Sequence, residues 1–290
     1  MPDQRALWQS QNYIRRSDLV EKLLDMTNIG PDDLVVEIGP GRGVITQALL
    51  KRADQVIAIE QDAALVQELQ LLPWTRREKL QLIAGDFLKW PLPQKVYQVF
   101  SNIPFNMTAD IVNRLTRTTN PPGHAYLIMQ KAAAHRFAGQ PLEKETLKSI
   151  LLKTEFQIEI VATIPASEFE PRPSVNIVLT HFRKRSASIV SKEHLQEFRD
   201  FLVYGYTQWQ PNVLEALKKL FTKSQARQLK DEFQVLKPRD VTLEQWLTLF
   251  NLADARKRQL VRGSEKRLEE QQSKLQKQHR TRLKKRADPD

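Results

Sequence analysis

The 290-residue chain contains no cysteine. That excludes a disulfide framework, thiolate metal centres, iron–sulfur clusters and a cysteine nucleophile. Its five histidines, His124, His135, His181, His194 and His279, show no HExxH or other close ligand spacing, so no metal site is expected. Nowhere do about 18 apolar residues run together, and Met1-Pro2-Asp3-Gln4-Arg5 opens without an apolar stretch. The expectation is a soluble, cytoplasmic protein with no membrane span. Acid is in short supply: 34 Asp plus Glu face 45 Lys plus Arg, a net of +11, which favours an anionic partner such as nucleic acid or an acidic membrane surface. With 41% hydrophobic residues the chain has enough to build a core.

The excess charge is concentrated at one end. Asn251 to Asp290 holds 13 basic and 6 acidic residues, a net of +7, which leaves +4 for the first 250 residues. After Val261 the apolar residues are mainly Leu268, Leu275 and Leu283, too thin a stripe to bury against a body. The segment 253–290 therefore reads as a flexible basic tail, a solvated helix or a disordered arm, serving as a solubilising terminus or as an accessory grip on RNA.

From Leu34 to Gln130 short β-rich runs alternate with helical patterns, as in a parallel sheet with crossover helices. Strands are expected over 34–38, 55–59, 80–84, 97–101 and 125–129, with helices over 44–52, 63–70 and 111–117. Ile158 to Ile164 and Val175 to Phe182, separated by Pro171-Arg172-Pro173, read as a closing hairpin-like pair. After Arg183 only helical periods follow, over 192–209, 213–221, 225–234 and 243–252, punctuated by Pro211 and Pro238. The fold class expected is α/β, a doubly wound Rossmann-like domain over 1–182, then a small all-helical domain over 183–252 and the tail.

The chemistry gathers at strand ends. Glu37-Ile38-Gly39-Pro40-Gly41-Arg42-Gly43 joins a strand to a helix, and glycines there allow a tight turn and a close approach to a ligand. Val44 stands where a dinucleotide fingerprint needs a small residue, so Gly39 and Gly41 suit a smaller nucleoside ligand such as S-adenosylmethionine. Alone, such a loop is also compatible with a plain tight turn. Glu60, at the next strand end, is placed to accept from both ribose hydroxyls. Asp86, at the third, is placed to accept from an adenine amino group, with Phe87 against the ring. Three acceptable groups at one sheet edge outweigh the reading of each as a cap.

The fourth strand ends in Ser101-Asn102-Ile103-Pro104-Phe105-Asn106. An exocyclic aromatic amine has its lone pair delocalised into the ring. Hydrogen bonds from it to the Asn102 side-chain oxygen and the Pro104 main-chain carbonyl would localise that pair and aim it at a methyl sulfonium, with Phe105 stacking on a flipped base. No strong general base is required, because the methylated amine is itself a strong acid until it loses its proton.

Ser10-Gln11-Asn12-Tyr13, the Glu37 to Gly43 loop, Glu60, Gly85-Asp86-Phe87 and Asn102-Ile103-Pro104-Phe105, in that order, resemble the rRNA adenine N6-methyltransferases over about residues 9–182. Phe169-Glu170-Pro171-Arg172-Pro173-Ser174-Val175-Asn176, Phe221 to Gln225 and Leu243 to Phe250 are similar to the macrolide-resistance (Erm) branch. Ile103 departs from the leucine usual in the small-subunit branch. The resemblance implies an S-adenosylmethionine site formed by Asn12, Ile14, Gly39, Gly41, Glu60, Asp86, Phe87 and Asn102, with Asn102, Pro104 and Phe105 catalytic. It implies methylation of an adenine in 23S rRNA, with resistance to macrolides, lincosamides and streptogramin B. Phe105 replaces the tyrosine of many members, keeping the stacking face and losing only the hydroxyl. The expected form is a monomer acting on naked rRNA or an immature large subunit, since base flipping is cheapest there. Two alternatives stand beside it: a small-subunit rRNA adenine dimethyltransferase, and an rRNA-binding assembly factor on a decayed methyltransferase fold.

Overall fold

The structure is a computed structural model and describes the backbone of residues 12–287 and the side chains of residues 12–275. Its contacts divide the chain into two compact units. Among the described residues the first takes 12–135 and 156–186; the second takes 136–155 and 187–287. Where the sequence suggests one boundary near 182, the chain leaves the α/β unit once, at 136–155, and returns to it before entering the helical unit for good.

The α/β unit carries β1 (Tyr13–Ile14), α1 (Ser17–Leu24), β2 (Leu34–Ile38), α2 (Val44–Arg52), β3 (Gln55–Glu60), α3 (Ala63–Gln70), β4 (Leu80–Ala84), β5 (Gln98–Asn102), α4 (Thr108–Thr116) and β6 (His124–Gln130). Next come α5 (Lys131–Ala138) and α6 (Leu147–Lys153), then β7 (Phe156–Ile164), β8 (Phe169–Glu170) and β9 (Ile177–Lys184). Seven strands form one sheet in the order β4-β3-β2-β5-β6-β9-β7, while β1 pairs with β8 as a separate antiparallel ribbon. β2, β3, β4, β5 and β6 run parallel; β9 pairs antiparallel with both β6 and β7.

This order explains why β2 reads as a nearly unbroken apolar run: all five of its residues are buried, as expected for a strand covered on both faces. The order reverses between β2 and β5, and in open α/β sheets ligands bind outside the carboxyl ends of the strands at such a reversal. Beyond the pair Val36 and Val99 the β2–β5 ladder stops. The freed Ile38 N–H donates instead to the Ser101 hydroxyl at 2.7 Å, so the two strand ends separate without leaving a buried donor unpaired.

The helical unit contains α7 (Lys192–Thr207), α8 (Val213–Leu217), α9 (Lys223–Phe233), α10 (Leu243–Leu252), α11 (Ala255–Arg258) and α12 (Ser264–Ala287). Its core is aromatic: Phe198, Phe201, Phe233, Trp246 and Phe250 are buried together, with Phe201 edge-on to Trp246 at 6.1 Å. Gly205 on α7 makes room for that indole, since a Cβ there would lie 2.7 Å from it. Thr222 with Gln225 and Thr242 with Gln245 form capping boxes that start α9 and α10. The expected helix 213–221 is α8 followed by a 3-10 turn, Lys218–Leu220.

Candidate functional site

The glycine loop is held open by backbone geometry and by two aromatic rings. Gly39, Gly41 and Gly43 have φ of 68°, 55° and 78°, the left-handed region in which side chains other than glycine are strained. A Cβ on Gly41 would lie 2.6 Å from the Tyr13 ring, and one on Gly43 would lie 2.5 Å from the Trp74 ring. Arg42 sits 5.4 Å from the Tyr13 ring centroid. Neither Tyr13 nor Trp74 is legible as a loop partner from sequence, because the feature each packs against is a missing side chain.

Main-chain bonds tie the neighbouring strand ends together. Gly39 N–H donates to Ile59 O at 2.9 Å, and Gly85 N–H donates to Glu60 O at 2.7 Å. Glu60 is 1% exposed. Its Oε2 accepts from Gly41 N–H at 3.1 Å, and its Oε1 accepts from Gln61 N–H at 2.8 Å and Asp62 N–H at 3.0 Å. Burial pushes its pKa up, and these N–H groups oppose that by stabilising the carboxylate. Oε1 has both acceptor sites filled and Oε2 keeps one, so the group that clamps the glycine loop can still receive a hydroxyl.

Gly39, Glu60, Asp86, Phe87 and Pro104, five of the residues singled out from sequence, line a single cleft with Ile38, Ile59 and Met107. Asp86 Oδ1 accepts from Leu88 N–H at 2.9 Å, and Oδ2 lies 3.3 Å from exposed Lys89. The cleft lining holds two carboxylates and no lysine or arginine. That acceptor set suits a ligand offering hydroxyl and amino donors and a positive charge, as S-adenosylmethionine does, and does not suit a pyrophosphate.

The remaining candidates have these places. Asn12 offers its main-chain carbonyl to Asn102 Nδ2 at 2.7 Å. Of the two polar atoms of that side chain only Nδ2 can donate to a carbonyl, so this bond orients the Asn102 side chain and leaves its Oδ1 to accept. Ile14 is in β1, paired with Phe169, and its side chain is buried in the core of the α/β unit. The Pro104 carbonyl accepts from Met107 N–H at 3.0 Å, with the Thr108 hydroxyl a second, longer donor at 3.5 Å. Thr108 donates to Phe105 O at 3.0 Å. Phe105 is half-buried, packed against the same core. Ser10 and Gln11 lie outside the described residues.

Sequence reasoning passed over Glu37 as part of a strand. It is buried, and Thr46 donates to its Oε2 at 2.6 Å, while Oε1 has no hydrogen-bond partner among the described residues. Burial raises its pKa to about 8. Among the described residues no group of acidic, histidine or cysteine side chains is placed to hold a metal ion, and no helix is long and apolar enough to cross a membrane.

Comparison with known proteins places this geometry in a family. Residues 8–255 match the family model described as ribosomal RNA adenine dimethylase. An rRNA adenine N-6-methyltransferase of Staphylococcus aureus is 34% identical over 83% of this chain and 94% of its own length. A ribosomal RNA small subunit methyltransferase A of Rippkaea orientalis is 25% identical over 88% of this chain and 99% of its own. Among solved structures, the 23S rRNA methyltransferase ErmE superposes with a TM-score of 0.76 at 22% identity, covering 84% of this chain and all of the other.

Proposed function

Because the chain belongs to the ribosomal RNA adenine dimethylase family, we propose that it transfers methyl from S-adenosylmethionine to N6 of an adenine in 23S rRNA, conferring resistance to macrolides, lincosamides and streptogramin B. The observation that carries the reading is the joint placement of Gly39, Glu60, Asp86 and Pro104 on one cleft at the sheet's reversal point. The cofactor supplies, when bound, an electrophilic methyl on a sulfonium. Glu60 and Asp86 accept from its hydroxyl and amino donors, and Phe87 forms an apolar wall. Asn102 Oδ1 and the Pro104 carbonyl accept from the adenine amine and aim it, the long Thr108 contact to that carbonyl giving way. Phe105 offers a stacking face for a base taken out of its stack. The favoured substrate is naked or immature rRNA, and the protein acts as a monomer.

The 23S assignment rests on the Phe169 to Asn176 segment, similar to the macrolide-resistance branch, and on Ile103, which departs from the leucine usual in the small-subunit branch. Asn102→Ala tests the mechanism. Methyl transfer to a 23S rRNA transcript should fall by at least about a hundredfold, the scale of losing a positioned reacting group. Calorimetry should show S-adenosylmethionine binding retained or modestly weakened. Wild-type turnover in Asn102→Ala would refute the role.

A further inference from the structure

α12 lies wholly beyond residue 255, where the family match ends. Its start is nonetheless built into the helical unit. Asp200, on α7 and 3% exposed, accepts from Gly263 N–H at 2.8 Å and from Glu265 N–H at 2.9 Å. A remote carboxylate thus supplies the N-terminal cap that the chain's own sequence does not. Gly263, at φ 77°, turns the chain into the helix. Arg199 Nη1 binds Glu265 at 3.2 Å and its Nη2 binds Glu155 at 2.8 Å. The link from α10 is tied down as well: Asp254 N–H donates to Leu220 O at 3.1 Å, Lys257 donates to Phe221 O at 2.9 Å, and Arg258 lies 3.0 Å from Glu197 and over the Phe250 ring. Val261 is buried in the same core.

Beyond this root the helix has almost no apolar face, and its charge is sorted by sequence. Over 264–275 the three acids Glu265, Glu269 and Glu270 are balanced by Lys266, Arg267 and Lys274. Lys277, Arg280, Arg282, Lys284, Lys285 and Arg286 follow with no acid among them. Base at the end favours the helix through its dipole. Its 24 residues span about 36 Å at roughly 1.5 Å each.

We infer that α12 is a rooted arm which carries a block of six cations to RNA phosphates outside the footprint of the family core, with Asp200 as the residue that fixes its origin. This rests on the rRNA reading above and adds to it a second contact surface. The partner is RNA: the block is purely cationic, and it lies on a chain whose relatives are named for rRNA.

The test uses full-length protein and a 23S rRNA transcript carrying the peptidyl-transferase region, with binding followed by fluorescence anisotropy across a salt series. Replacing the six cations with glutamine should weaken binding and reduce the slope of log affinity against log salt by up to about 5, from 0.7–0.9 per phosphate contact, with the same base methylated. Asp200→Asn keeps the isosteric shape and places an N–H against one of the two donors; it should lower affinity several-fold with the salt slope nearly unchanged. An unchanged slope in the glutamine variant overturns the RNA contact, and so does loss of binding to anionic vesicles without loss of RNA binding. Wild-type affinity in Asp200→Asn, with circular dichroism showing the fold intact, overturns the rooting. Failure of wild-type protein to methylate the transcript would instead overturn the functional reading, whatever the slopes show.

Discussion

Asn102 has one amide and two demands on it. Its Nδ2 is committed to the Asn12 carbonyl, and that carbonyl precedes β1, which β8 holds in register. The orientation of the Asn102 amide is therefore set by a segment about ninety residues earlier in the chain. Sequence showed Asn102, Glu60 and Asp86 because a polar residue closing an apolar run stands out. It could not show Glu37, whose single acid within Leu34 to Ile38 looks like an ordinary strand residue. Buried with one oxygen unpartnered, Glu37 is protonated in the folded state up to about pH 8. Its ordinary value is 4.5, so between the two values the folded state holds a proton that the unfolded state has lost, and stability falls as pH rises. Glu37→Gln removes that dependence. The melting temperature of the variant minus that of the wild type should increase steadily from pH 5 to pH 8; a constant difference would contradict the assignment.

At the scale of elements, the strands of the large sheet and helices α2, α3 and α4 follow from hydrophobic period, because buried parallel strands and amphipathic helices leave strong patterns, whereas α1 and α5 were not expected from sequence. The β1–β8 ribbon was not legible, since two residues per strand carry no period. α6 was missed for a related reason: its capping box pairs Thr146 with Ser149 instead of a glutamate or glutamine. α4 starts at Thr108 where the period suggests 111, because its first turn is polar. The glycine loop is where element geometry bears most directly on function. Gly41→Ala puts a Cβ at φ 55°, 2.6 Å from the Tyr13 ring, and should cost roughly 1–3 kcal/mol of stability. It should also weaken S-adenosylmethionine binding, because the same Gly41 N–H donates to Glu60. Urea denaturation and calorimetry measure the two effects, and wild-type values in both would contradict the loop's role.

Over the whole molecule, the order of strands and the net charge belong to different parts of the story. The reversal between β2 and β5 places the glycine loop and the Asn102 segment at one edge, and no count of +11 bears on that. The unevenness of the charge, legible from sequence, coincides with a helix whose root the sequence did not reveal, because Asp200 caps it from 63 residues away. The two-unit division shows the same limit: Arg136–Glu155 joins the helical unit through tertiary contacts that local pattern does not encode. The most direct measurement of the central claim is mass spectrometry of large- and small-subunit rRNA digests from cells with and without the protein. The account predicts an N6-methylated adenosine in the peptidyl-transferase region of 23S rRNA that appears only with the protein. A new methylated adenosine confined to the small-subunit rRNA, or none in either, would contradict it.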